Sequence, residues 1–289
     1  MSVSNNRLNR YVQHLQGNPV SGNYSQTHGF AQQLRDARVN KEKVQLQVNS
    51  SATLPLNIDE GYDIQLAQIT SPGALGAHSG WKCGHTDVPA YTKAGLKEPT
   101  RGPLFSNTTL PSPGYFETEQ KGPVNVEIEC GFTFKTTLLP KSGEYTVAEV
   151  YAAIDQVVPC IELTGRRYTT DATPYSKVAL DLSDGLCGTA VVTGTGVSPQ
   201  HFAKIEEFAQ LQASVLINGQ AKASGTGAII LDNPVLSLTW LVNHLTKRGI
   251  PVQKGHLVIS GAIAKCKALP GDHCVAVLGK LAPVELTLA

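Results

Sequence analysis

The sequence predicts an α+β fold in which an N-terminal helical part sits on a strand-rich body. Near the start, apolar residues recur at helical spacing. From residue 124 onward they alternate with a period of two or fall in short apolar runs. Glycine and proline number 27 and 17 in 289 residues, which suits a turn-rich globular body rather than a helical bundle. The expected division is a helical region over 1–71 and a β-rich catalytic domain over 72–289, folding as one cooperative unit.

The elements follow in order. Leu8, Tyr11, Val12 and Leu15 keep helical spacing, with Gly17 as the stop. Asn57 with Glu60 forms a candidate capping box for a helix through Tyr62, Leu66 and Ile69. Residues 72–123 carry much Gly and Pro and few periodic runs, so they read as a long functional loop or lid. Val124, Val126, Ile128 and Cys130 then mark one face of a strand. Thr146 and Glu149 form a second capping box, and Val150, Ile154, Val157 and Val158 extend that helix until Pro159 ends it. A short apolar strand, 159–163, follows. Asn233 as cap, Pro234 at the first position, Leu238, Leu241, Val242 and Leu245 within, and Gly249 as stop define another helix. Strands over 257–261, 275–278 and 284–288 close the chain.

Composition excludes several classes. The 24 basic and 23 acidic residues are well mixed and sum to +1, so no basic stripe exists for nucleic acid. No apolar stretch reaches 18 residues and the first residues are polar, so the expectation is a soluble, cytoplasmic protein without a membrane span. Six scattered cysteines without a CxxC read as reduced thiols.

The chemistry concentrates in carboxylates. Glu127 and Glu129 share the face of their strand opposite Val126 and Ile128, roughly 7 Å apart. Glu162 stands alone inside the apolar run Cys160-Ile161-Glu162-Leu163, where a charge needs a cation. Three carboxylates without clustered Cys or His favour a hard divalent cation, Mg²⁺ or Mn²⁺, over zinc. The same spacing also fits three separate solvated or salt-bridged glutamates. Lys82, in Gly80-Trp81-Lys82-Cys83-Gly84, is placed to hold an anion or to have a lowered pKa; a surface lysine is the plain alternative. The GTG tripeptides at 194–196 and 225–227 lack a dinucleotide fingerprint, no GxSxG occurs, and His78 and His85 do not match HExxH.

Taken in order, Gly80-Trp81-Lys82-Cys83-Gly84, Glu98-Pro99-Thr100-Arg101-Gly102-Pro103, Val126-Glu127-Ile128-Glu129, Pro159 to Arg167, Asn233-Pro234 through Trp240-Leu241 and Gly255 to Ala262 resemble the 2-keto-4-pentenoate hydratase and 4-oxalocrotonate decarboxylase group of the fumarylacetoacetate hydrolase superfamily. The resemblance runs from about Asn57 to the C-terminus. It implies the mixed-β roll of that superfamily, often as a homo-oligomer. It also implies Mg²⁺ or Mn²⁺ held by Glu127, Glu129 and Glu162, with Lys82 as the active-site lysine. Substrates would be 2-hydroxy-dienoates or 2-oxo acids that react through an enolate whose charge the metal stabilises. Lys82, Arg167 and Asp184 are the expected substrate-binding residues.

The chain departs from the family pattern around the metal residues. Thr100 stands where the family commonly has an acid after the proline, so an acid/base group is missing. His85 is the candidate replacement, which makes Lys82 and His85 the expected catalytic pair. Only Asp184 survives of an Asp-Asn-Ala-Ser stretch, and His256 replaces a common aspartate. The resulting expectation is a divalent-metal-dependent hydratase of an unsaturated 2-oxo acid. The alternatives are decarboxylation or C–C hydrolysis of a related 2-oxo or 2,4-dioxo acid, and a non-catalytic paralogue.

Overall fold

The computed structural model describes residues 24–46, 57–118, 122–170 and 174–289. The helix expected around Leu8 to Leu15 lies outside them. Strands are numbered in chain order: β1 Val44–Leu46, β2 His78–Gly84, β3 Thr100–Phe105, β4 Thr109–Pro111, β5 Gly114–Phe116, β6 Val124–Phe134, β7 Ile154–Thr164, β8 Tyr168–Thr170, β9 Gly188–Thr193, β10 Gln212–Ile217, β11 Gln220–Thr226, β12 Leu257–Ala268, β13 His273–Leu278 and β14 Val284–Leu288. A seven-stranded mixed sheet runs β3-β2-β12-β6-β7-β9-β4, a five-stranded sheet runs β11-β10-β13-β14-β5, and β1 pairs with β8. The α+β expectation is met.

The alternation in β6 decides how the sheets meet. Val124, Val126, Ile128, Cys130, Phe132 and Phe134 are all buried, and with Val157, Ile161 and Leu163 of β7 they face the main core. Val215, Ala276, Leu278, Val284 and Leu286 of the second sheet fill that core from the other side. The helix Pro234–Thr246 covers its end through Leu238, Leu241, Val242 and Leu245, with Asn233 Oδ1 accepting from the Val235 amide at 2.9 Å. The opposite face of β6 and β7 is left to carry the carboxylates.

Two sequence readings change. The stretch 72–123 holds β2, β3, β4, β5 and a short helix, Val88–Lys93, in place of a long loop. Its strands escaped notice because Thr100–Phe105 is buried at every position, which abolishes alternation, and because Gly102 and Pro103 lie inside it. The helix opened by Thr146 ends at Ala153, and Ile154, Val157, Val158 and Pro159 belong to β7. A β-branched run serves both a helical stripe and a buried strand, and here pairing with β6 wins. The Thr146–Glu149 capping box itself forms as expected.

The helix Ile58–Thr70 is capped by Asn57, whose Oδ1 accepts from the Glu60 amide at 3.0 Å. Leu66 and Ile69 enter the main core. Buried Gln65 donates to the carbonyls of Arg101 (3.0 Å) and Leu182 (2.9 Å), tying this helix to β3 and to the helix Pro174–Ser183. Gly61 permits the close approach, since a Cβ there would meet the Ala179 carbonyl oxygen at 2.6 Å.

Candidate functional site

Strand register assembles the carboxylates. Glu127 lies directly opposite Glu162 in the antiparallel β6–β7 pair, and residues so opposed share a sheet face. Glu129, two residues along β6, shares it too. One ligand oxygen from each of the three can lie within 4.8 Å of the others. Glu129 and Glu162 are each 1% exposed, and Glu127 is half-buried.

Lys82 reaches this group from β2. Between β2 and β7 stand β12 and β6, a separation of about 14 Å in a flat sheet. The Lys82 ammonium nevertheless donates to Glu162 Oε1 at 2.8 Å, so the sheet curls around the four charges. The irregularities in β12 between Ile259 and Ala264 help this bend. Gly261, at φ 115°, donates its amide to Glu129 Oε2 at 2.7 Å, and a Cβ there would strike the Thr86 hydroxyl at 2.2 Å. Thr164 donates to Glu127 Oε1 at 3.4 Å.

The electrostatics are those of an excess of buried negative charge. Burial pushes the Glu162 carboxyl up against the pull of the Lys82 ammonium, and it settles at about 7. Burial, then repulsion from Glu162 and Glu127, raises Glu129 well above the usual carboxylate range. Burial works against the Lys82 charge, but Glu162, Glu127 and Glu129 outweigh it and lift its pKa above 10.5. The lowered lysine pKa contemplated from Trp81 is thereby reversed. Among the described residues Glu162 Oε2 is buried with no hydrogen-bond partner, an unmet demand for positive charge. This donor set of three carboxylates, one orphaned oxygen and no sulfur fits a hard divalent cation.

These side chains open onto a cavity of about 640 Å³, which His85, Thr86, Arg166, Asp181, Leu186 and Lys265 also line. His85 Nδ1 is 2.8 Å from Thr100 Oγ1, and burial lowers the His85 pKa below its ordinary value. Lys82, Glu127, Glu129, Glu162 and His85 are thus brought together. Arg167 and Asp184 go elsewhere. Both are buried and pair with each other, Arg167 Nε donating to Asp184 Oδ1 at 2.7 Å and the Arg167 amide to Oδ2 at 2.9 Å. The neighbouring Arg166 faces the cavity instead, in a two-point ion pair with Asp181 at 2.6 and 2.9 Å. Sequence reasoning missed Arg166, Asp181 and Lys265. None left a usable trace: Lys265 comes opposite Glu127 only through the β12–β6 register, beyond the strand expected over 257–261.

No family model matches the chain. It is 27% identical over 219 residues to a 2-keto-4-pentenoate hydratase of Paraburkholderia xenovorans, covering 75% of this chain and 78% of the relative. It is 26% identical over 197 residues to a 4-oxalocrotonate decarboxylase of Pseudomonas putida, covering 67% and 71%. A solved structure of a 4-oxalocrotonate decarboxylase from Pseudomonas putida, complexed with magnesium and adipate, superposes with a TM-score of 0.79 at 23% identity, over 94% of this chain and 100% of the other. The fold is therefore the one shared by this decarboxylase and by solved structures described as fumarylacetoacetate hydrolase family proteins, and the sequence is similar to 2-keto-4-pentenoate hydratases and 4-oxalocrotonate decarboxylases.

Proposed function

We propose that the protein is a divalent-metal-dependent lyase that hydrates an unsaturated 2-oxo acid, taken up as its 2-hydroxy-dienoate form. One observation carries this: three carboxylates that line one cavity converge on one point, with the Lys82 ammonium on one of them. Glu127, Glu129 and Glu162 would hold Mg²⁺ or Mn²⁺. When bound, such a cation supplies Lewis-acid stabilisation of negative charge developing on the substrate oxygen. Lys82, held charged by its three carboxylate neighbours, anchors the substrate carboxylate rather than acting as a base. His85, kept neutral by burial, is the group that carries protons. Hydration requires a proton delivered to carbon as the enol becomes the ketone. Water then adds its hydroxide to one carbon of the conjugated double bond and its proton to the other. Arg167 and Asp184 hold the loop after β7 in place, so that Arg166 is the cation this loop presents to the substrate.

The sequence relationship to a decarboxylase keeps a second reading open, in which CO₂ departs to leave the same enolate. Protein loaded with Mg²⁺ is expected to consume 2-hydroxypenta-2,4-dienoate without releasing CO₂ and to stop when treated with EDTA. Undiminished turnover by metal-free protein would sink the proposal. CO₂ release from 4-oxalocrotonate, with no hydration of the dienoate, would assign the second reading.

A pH dependence follows. A carboxyl raised from 4.5 to about 7 by folding binds more protons folded than unfolded between those values. Metal-free protein therefore loses stability as pH rises through that window. A cation binds the ionised carboxylates and competes with their protons. The rise in melting temperature produced by Mg²⁺ is thus expected to be small near about pH 5 and to grow towards about pH 7.5. Thermal unfolding with Mg²⁺ or EDTA across this range checks it, and a shift independent of pH would contradict it.

We also propose a cytoplasmic homo-oligomer in which 1–71 and 72–289 unfold together. The six cysteines are free thiols, the helix Ile58–Thr70 is bonded into the body, and Tyr115, Leu139 and Leu269 expose apolar area that a subunit contact would cover. Among the described residues no helix is long and apolar enough to cross a membrane.

A further inference from the structure

We propose that His85 and Thr100 form a proton relay joining the active-site cavity to a second cavity. The second cavity, of about 420 Å³, is lined by Asn57, Tyr62, Glu98, Thr100 and Arg248 among others. His85 lines the first cavity and not the second, and Thr100 lines the second and not the first. The 2.8 Å contact between His85 Nδ1 and Thr100 Oγ1 therefore bridges the wall between them. The register that pairs Gly84 with Thr100 across β2 and β3 sets this contact, and Thr100 itself is 1% exposed.

The backbone shows that the arrangement is held at a cost. His85 has φ 51°, in the left-handed region that a residue with a side chain enters rarely. Conformations of this kind persist where the surroundings over-determine them, and they gather at functional sites. Here the turn swings the imidazole from the end of β2 so that one nitrogen meets Thr100.

The chemistry of the two groups suits two-way transfer. A neutral imidazole has one donor and one acceptor nitrogen, and a hydroxyl donates once and accepts twice. His85 Nε2 takes a proton from the reacting substrate while the Nδ1 proton passes to Thr100 Oγ1. The threonine proton passes in turn to water in the second cavity. One proton enters, one leaves, and no net charge stays on the pair. The reverse sequence returns a proton when carbon must be protonated. Asp181, from the helix Pro174–Ser183, draws a proton towards His85; burial above all, helped by repulsion from Lys82 of β2 and Lys265 of β12, outweighs that pull and keeps the ring neutral between transfers. In the second cavity, hydrogen bonding with His244 above all holds the Glu98 carboxyl down at about 2. Glu98 thus stays ionised, favouring proton exit without keeping the proton. The relay lets protons exchange with solvent while the substrate fills the first cavity.

This inference rests on the proposed turnover of a 2-oxo acid, and the test separates the two. The probe is exchange of the carbon-bound protons of 2-oxopent-4-enoate with D₂O, followed by NMR on Mg²⁺-loaded protein. Thr100→Val is expected to lower the exchange kcat at least about tenfold with KM unchanged, and Thr100→Ser to restore it. Added imidazole buffer is expected to recover the Val variant's rate in proportion to its concentration and to leave the parent unchanged. Without substrate, the ¹⁵N signals of the His85 ring are expected to move in the Val variant and stay in the Ser variant. An unchanged kcat in Thr100→Val overturns the relay while leaving the proposed activity intact. A lowered rate that imidazole does not recover also overturns it, since Thr100 would then only position His85. Absence of exchange in the parent, with the ¹⁵N response as expected, would count against the activity and not against the His85–Thr100 bond.

Discussion

Replacing Glu162 with glutamine is expected to lower kcat/KM by at least about 10³-fold, a loss of several kcal/mol of transition-state stabilisation. The Mg²⁺-dependent rise in melting temperature should disappear with it. Glutamine keeps the shape of the side chain and an oxygen for Lys82 Nζ, which lies 2.8 Å from Glu162 Oε1. It removes the charge that both the lysine and a cation need, at a site 1% exposed to solvent. Buried Lys82 would then rely on Glu127 and Glu129, and part of their charge would be spent on it. Glu127 is half-buried and accepts from Thr164, so water can supplement it as a ligand. Glu127→Gln should therefore weaken metal affinity more than it lowers kcat, and excess Mg²⁺ should recover part of its activity but none of that of Glu162→Gln. Metal titrations followed by turnover and by thermal unfolding read both effects. A Glu162→Gln protein still stabilised by Mg²⁺ would remove Glu162 from the metal site.

Glu127, Glu129 and Glu162 were legible in the sequence because each conflicts with its surroundings. Two carboxylates on one strand face repel, and a third inside an apolar run is stranded. Lys82 was legible as a motif, but the sequence could not show that its partners lie across three strand spacings, since that depends on the curl of the sheet. The strands β2 and β3 were hidden for a physical reason. With both faces covered they carry no alternation, and their glycines and prolines read as loop. Arg166 and Arg167 show a different limit. Adjacent residues point apart, and only the position of Asp184 decides which of them turns inwards. The His85–Thr100 bond joins residues 15 apart, through a hairpin-like β2–β3 pairing that the loop reading of 72–123 excluded.

Replacing Asp184 with alanine is expected to destabilise the fold by about 3–5 kcal/mol, because it leaves a buried guanidinium without its counter-charge. Asp184 is fully buried, and its two carboxylate oxygens take the Arg167 side chain at 2.7 Å and the Arg167 amide at 2.9 Å. Its backbone carbonyl accepts from Arg38 at 2.9 Å and from Arg167 at 3.2 Å. Arg167 also donates to Thr189 at 2.8 Å, so the ion pair pins the end of β7 to β9, beside the strand that carries Glu162. At roughly 2–4 °C per kcal/mol for a chain of this size class, the melting temperature should fall by about 10 °C. Removing both charges tests the cause. Arg167→Leu with Asp184→Leu removes one of the two buried guanidinium groups that Asp184→Leu alone strands, Arg38 being the other at 3.9 Å, and should destabilise less than the sum of the two single leucine variants by well over the few tenths expected of independent sites. A double variant that loses the sum of the two single effects would mean that the two residues act separately. The link to function is then direct: because Arg166 follows from where Arg167 is held, Asp184→Ala should raise KM for the 2-oxo acid even at temperatures where the variant stays folded.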